Sequence, residues 1–213
     1  RKESSAASDV YKRQPIKVNK GIFTSSNGLI KIDNSYYKLV PLSFSKQGQY
    51  VMFEDTKIFI QNKDFGESRI TITNNALVNL SDEDKDRTIR ESKIINKALQ
   101  TYSKKMKPTF SFISPVDGII SSRYGKKRFI NNSPRSPHLA LDIAAPEGTK
   151  VLSPEDGKVI LIGNFFYSGN YLIIDHGQGL LSSYSHLSSI SVSEDDILKL
   201  SLIHISEPTR PLY

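Results

Sequence analysis

The sequence predicts a mainly β fold in three parts: a small antiparallel β domain over 15–78, a connecting α-helix over 79–107, and a β-sheet and hairpin core over 108–199. Three observations predict it. Short runs of β-branched and aromatic residues, punctuated by turn signals, fill both outer parts. Only one stretch repeats its apolar residues at helical spacing. Pro108 ends that stretch and marks the return to short apolar runs broken by Gly and Pro.

In the first part the runs are Leu29–Ile32, Tyr36–Val40, Tyr50–Phe53, Lys57–Ile60 and Arg69–Ile72. Asn27-Gly28, Asp33-Asn34, Gln47-Gly48 and Phe65-Gly66 separate them as turns. The part contains no His and no convergent carboxylates, so it reads as a spacer or docking module. Ser81 with Asp84 resembles a capping box, and Ile89, Ile94, Ile95, Ala98, Leu99, Tyr102 and Met106 then recur on one helical face, predicting about six turns. Lys93, Lys97, Lys104 and Lys105 form a basic face suited to solvent or to an anionic partner. In the third part Gly118–Ser122, Gly157–Gly163, Tyr171–Asp175 and Leu181–Tyr184 read as closely spaced strands with no helix between them.

Both ends, 1–14 and 200–213, resemble translated sequencing-adapter sequence and are set aside from fold reasoning. The stretch between them is read as an internal part of a longer gene, so that a leader or membrane anchor would lie in a missing N-terminal segment. The formal charge is +7; the first fourteen residues hold four Lys/Arg against two Asp/Glu and the last fourteen balance, which leaves +5. That mild excess suits an anionic polymer such as cell wall or nucleic acid, and equally a solvated surface. The absence of cysteine excludes disulfides and thiolate metal sites, so any metal must be held by His and carboxylate. No apolar run approaches the ~20 residues of a membrane span.

His138, Asp142 and His186 place His, carboxylate and His in a pattern suited to a catalytic zinc, which commonly takes three protein ligands and leaves a position open for water; two of the usual three ligands are visible here and the third is not. His138 and Asp142 are four apart, and Pro137 and Pro146 bracket them, which disfavours helix. On a straight strand such residues stand about 13 Å apart, too far to share an ion. The chain must therefore bend, with His138 in a loop and Asp142 at the start of the next strand. Taken bare, this pair is a weak signal. Asp175-His176-Gly177 closes a strand before a Gly-rich turn, where His176 can stabilise the turn, support a site from behind or serve as a ligand. Tyr184, two residues before His186, is expected on the same side of its strand, either lining a groove or packed in the core. Phe165-Phe166-Tyr167 reads as a groove wall or as a packed hairpin tip.

The surrounding motifs are Pro115-Val116-Asp117-Gly118, Ser121–Gly125, His138–Thr149, Ser153–Val159, Gly169–Gly177 and Tyr184–Ser188. Together, in order and at matching spacing, they resemble the lysostaphin-type or LytM-domain zinc metallopeptidases that cut peptidoglycan. Glu67–Ile72 and the helix with Arg90-Glu91-Ser92 resemble, more loosely, the connector of Gram-negative members with an extra N-terminal β domain. The resemblance implies a LytM-type core, incomplete at its C-terminal end, with His138 and Asp142 as zinc ligands and His186 as the catalytic histidine. It also implies peptidoglycan rather than nucleic acid as partner, and a periplasmic, Gram-negative envelope setting. The family pattern continues with a His-x-His pair that supplies the last ligand. Here the adapter-like segment begins instead, and His204 within it is not assigned, so the polypeptide as it stands is expected to bind zinc weakly and to be inactive.

Two other classes compete. A non-catalytic LytM-type protein would bind wall or regulate an amidase, and would be expected to have lost metal ligands. A β-rich carbohydrate-binding or biotinyl-like module would use the same hairpins without metal, leaving His138, Asp142 and His186 unexplained.

Overall fold

A computed structural model describes residues 29–31, 34–40, 42–53, 56–72 and 80–200, and the backbone alone of 6–7, 14–18, 32 and 206–208. The Asn27-Gly28 turn, Asp33, His204 and most of both end segments lie outside the described residues. The chain is mainly β, as its short β-branched runs predict. In chain order its strands are β1 (Ala6–Ala7), β2 (Gln14–Val18), β3 (Leu29–Ile32), β4 (Ser35–Val40), β5 (Tyr50–Phe53), β6 (Thr56–Phe59) and β7 (Glu67–Ile70). The helix α1 (Asp82–Ala98) comes next, then β8 (Ile119–Ser122), β9 (Lys127–Ile130), β10 (Ser133–Arg135) and β11 (Asp142–Ala144). The last strands are β12 (Gly157–Phe165), β13 (Gly169–Gly177), β14 (Leu180–Ile190), β15 (Ile197–Leu198) and β16 (Ser206–Pro208).

The long hairpins β12–β13–β14 form the centre of a five-stranded antiparallel sheet in the order β15-β12-β13-β14-β16. Its strands alternate apolar residues on both faces, which requires cover on both. One face carries Val159, Leu172, Ile174, Tyr184, Leu187 and Leu198 against Val116, Ile143 and Val151. The other carries Leu161, Phe165, Tyr171, Ile173 and Leu181, over which α1 lays Ile95, Ala98 and Leu99. Each fully buried aliphatic side chain here contributes roughly 1.5–3 kcal/mol of apolar burial.

The helix begins as its sequence predicts. The Ser81 hydroxyl accepts from the Asp84 amide at 3.1 Å and donates to the Asp84 carboxylate at 2.9 Å, and Asp82, Glu83 and Asp84 place negative charge at the dipole's positive end. Ser81→Ala is expected to cost about 1 kcal/mol, read as a lower urea midpoint at unchanged slope. The helix ends earlier than its apolar spacing suggests. Gln100 and Thr101 donate to the carbonyls of Lys97 and Ala98, closing the last turn tightly. Beyond it the chain is a strap held by Gln178. The Gln178 amide donates to the carbonyls of Lys104 at 2.7 Å and Met106 at 3.2 Å, and its Oε1 accepts from the Tyr102 hydroxyl at 2.8 Å. Tyr102 and Met106 are thus set by a tertiary clasp that helical periodicity imitates.

The N-terminal part has two antiparallel sheets, β2-β4-β3 and β5-β6. Its fifth predicted strand leaves them: β7 pairs in parallel with β9, Glu67 opposite Lys127 through Ile70 opposite Ile130. The β module is therefore hydrogen-bonded into the part of the chain that carries His138.

Candidate active site

His138 lies in the loop before β11 and Asp142 is that strand's first residue, so the bend that their spacing demands is present. The loop is closed against the turn after β8 by two backbone bonds, Gly125 N–H to the His138 carbonyl at 2.6 Å and His138 N–H to the Lys126 carbonyl at 2.9 Å. The His138 side chain is buried, and its Nδ1 sits 3.3 Å from the Arg123 carbonyl and 3.2 Å from the Ser122 hydroxyl. A carbonyl only accepts, so Nδ1 carries a proton and Nε2 points the other way. Nε2 faces Asp142 Oδ1 at 3.0 Å. At that distance the two side chains form a hydrogen-bonded pair, Nε2–H donating when the imidazole is protonated; with Nε2 unprotonated they present an imidazole nitrogen and a carboxylate oxygen, a donor set that zinc takes. Among the described residues no group of three or more His, Cys, Asp or Glu comes together as a metal cage.

His186 is presented by a break in β14. Asn170 pairs with Leu187 and Leu172 with Tyr184, so Ser185 and His186 together oppose Tyr171 as a β-bulge. His186 itself has φ of 57°, the left-handed region that non-glycine residues adopt uncommonly, though His more readily than most. The bulge is clasped on both sides: the His186 amide donates to the Ser168 carbonyl at 2.7 Å, and the Asn170 amide donates to the carbonyls of Leu187 at 2.8 Å and Ser188 at 3.1 Å. Desolvation holds the His186 imidazole below its ordinary pKa, while the charge of Asp142 pulls it up, so the two side chains share one electrostatic environment. Backbone held in a sparsely populated region at such a place marks a constrained, often functional, residue.

The bulge also separates Tyr184 from His186. Period-two alternation would place both on one face, but the extra residue shifts the parity, and Tyr184 packs with Leu187 in the core. Of the two places open to it, groove or core, Tyr184 takes the core. Asn170 was visible only as part of a motif; the signal that would have singled it out is an amide directly after the Gly169 turn, opposite the bulge.

His176 stands apart. Its Nδ1 is 2.8 Å from the Asp156 carbonyl and its Nε2 is 2.7 Å from the Ser182 hydroxyl, so both nitrogens are engaged in bracing the β13–β14 hairpin. The ring is neutral, with Nδ1–H donated and Nε2 accepting. Burial pushes its pKa below the ordinary 6.5. A histidine with a depressed folded pKa binds its proton less readily than in the unfolded chain, so stability is full above about pH 6.5 and falls as the pH drops below it. We expect the urea midpoint to fall between pH 7.5 and pH 5.5, and His176→Asn to flatten that dependence; an identical pH slope in the variant would show that other groups cause it.

Phe165 packs edge-on against Tyr171 with ring centroids 5.6 Å apart, under the helix. The Phe166 amide donates to Glu91 Oε2 at 2.7 Å, and the Arg87 guanidinium, paired with Glu91 at 2.6 Å, lies over the Phe166 ring. These two residues form a packed hairpin tip docked on α1. Tyr167 is 64% exposed, packs perpendicular to Phe166 with ring centroids 5.0 Å apart, and precedes Ser168, whose carbonyl holds His186.

Residues 136–200, which include His138, Asp142, His176 and His186, match the family model described as Peptidase family M23. Over this segment the chain is similar to the M23 peptidases. Over 83 residues the chain is 40% identical to the peptidoglycan DD-endopeptidase ShyA of Vibrio cholerae, a match covering 38% of this chain and 19% of that protein. It is 30% identical over 86 residues to the murein hydrolase activator NlpD of Salmonella typhimurium, covering 40% of this chain and 21% of the other. The chain thus spans about a fifth of the length of these relatives. A crystal structure from Pseudomonas aeruginosa assigned to peptidase M23 shares the fold, with a TM-score of 0.59 and 22% identity over 99% of this chain and 77% of that one. The matched segment therefore includes all three sequence-predicted site residues.

Proposed function

We propose that this chain belongs to a zinc-dependent endopeptidase that hydrolyses peptide bonds in the stem peptides or cross-links of bacterial peptidoglycan, in the periplasm. The observation that carries the reading is the 3.0 Å approach of His138 Nε2 to Asp142 Oδ1, with His186 near enough to feel the Asp142 charge. The match to a peptidoglycan DD-endopeptidase supports it. His138 and Asp142 would hold the metal. When bound there, zinc supplies Lewis acidity, polarising a scissile carbonyl and acidifying water. The Arg123 carbonyl fixes the His138 tautomer, so the nitrogen aimed at Asp142 is the one free to coordinate. His186, a neutral imidazole on a fixed backbone, can accept a proton at one ring nitrogen and donate from the other. The test is release of soluble peptides from purified sacculi by the zinc-loaded full-length protein. Release is expected, lost with His186→Ala; intact sacculi would sink the reading.

A second reading, a non-catalytic wall-binding protein or amidase regulator, is favoured by the match to a murein hydrolase activator. The two separate cleanly. A regulator would leave sacculi intact alone and speed their digestion by an added amidase, whereas a peptidase acts by itself.

A further inference from the structure

We propose that Phe65, in the N-terminal β module, is a positioning residue for His138, acting through the turn of residues 122–126. The turn is what orients the imidazole: its Ser122 hydroxyl and Arg123 carbonyl meet Nδ1, and its Gly125 and Lys126 backbone bonds fix the His138 main chain. Nothing in the local sequence makes this turn rigid, and Gly125, with φ of 89°, adds conformational freedom. Rigidity comes from outside. The Phe65 ring lies flat on Gly125, so close that a Cβ built there would stand 2.3 Å from ring carbon Cγ. Phe65 also meets Tyr124 at 5.6 Å between centroids, nearly perpendicular, and Phe44 completes a three-ring cluster at 5.6 Å from Phe65 and 5.8 Å from Tyr124. The residues directly after Phe65 hold its ring in place: the Gly66 carbonyl accepts from Lys127, and β7 runs on in register with β9. A ring anchored by the strand that follows it and packed on Phe44 thus sets the turn, and the turn sets the tautomer and direction of His138. The β module has no His and no acidic cluster of its own, and this contact gives it a role in the site without either.

The consequence for metal rests on the reading of His138 and Asp142 proposed above; the effect on the imidazole does not. The experiment tracks the hydrogen-bonded Nδ1–H signal of His138 in long-range proton–nitrogen spectra of the whole chain, in wild type, Phe65→Ala, Phe65→Leu and Phe65→Tyr, with Tyr50→Ala as a control elsewhere on the module. Phe65→Ala is expected to broaden or lose the His138 signal while leaving that of His176 in place, and Phe65→Tyr, which keeps the ring, to restore it. Zinc affinity is expected to fall about 10-fold in Phe65→Ala, the size typical of losing support behind a ligand. An unchanged His138 signal in folded Phe65→Ala or Phe65→Leu overturns the proposal. So does global unfolding of both, which would make the ring a purely structural element. If the wild-type chain binds no zinc at all, the metal reading fails while the imidazole signal still decides the role of Phe65.

Discussion

Substituting His138 by alanine is expected to lower the zinc affinity of the chain by about 100-fold or more, since loss of support behind a ligand already costs 10–100-fold and this removes the ligand itself. The two donors are Nε2 of a buried histidine and Oδ1 of a carboxylate 3.0 Å away, and no group of three or more His, Cys, Asp or Glu is gathered among the described residues. Asp142→Asn should act in the same direction, because it removes the charge that the metal needs and leaves a neutral amide oxygen. His176→Asn should change affinity little, since both nitrogens of that ring are already committed to Asp156 and Ser182. Calorimetry with zinc at pH 7.5 checks the series. Retained affinity in His138→Ala would place the metal elsewhere, and a large loss in His176→Asn would name the residue responsible.

Tyr184→Ala is expected to destabilise the chain by roughly 3–5 kcal/mol, the range for deleting a large aromatic from a packed core. Tyr184 is fully buried among Leu172, Ile174, Leu187 and Val151, and burial drives the pKa of its hydroxyl upward. The hydroxyl has one weak neighbour, the Ser182 oxygen at 3.4 Å, so Tyr184→Phe is expected to cost only about 1 kcal/mol. Urea unfolding of the three proteins distinguishes core from groove. A loss below about 1 kcal/mol for Tyr184→Ala would return the ring to the substrate side.

The helix cap, the β-rich texture and the bend between His138 and Asp142 were legible in the sequence because each rests on local chemistry. A serine hydroxyl satisfies the third residue's amide, β-branched runs suit extended backbone, and two residues on a straight strand cannot share an ion. The hairpin strands β12, β13 and β14 were legible for the same reason.

Other features depend on partners distant in the chain. The strap after α1 carries helical spacing at Tyr102 and Met106, yet it is Gln178, in a turn far along the chain, that holds it through the carbonyls of Lys104 and Met106. Parity along β14 predicts Tyr184 and His186 on one face; a bulge set by Ser168 and Asn170 moves them apart. The β7 run looks like one more strand of the N-terminal module, and pairs instead with β9, carrying Phe65 onto the turn that holds His138. The sequence by itself determined which residue types stand ready for metal and proton chemistry, and on what kind of backbone. Only the tertiary structure decided which nitrogen of His138 faces Asp142, which way His186 points and what holds both, because hydrogen bonds and ring contacts between distant segments have no local signature.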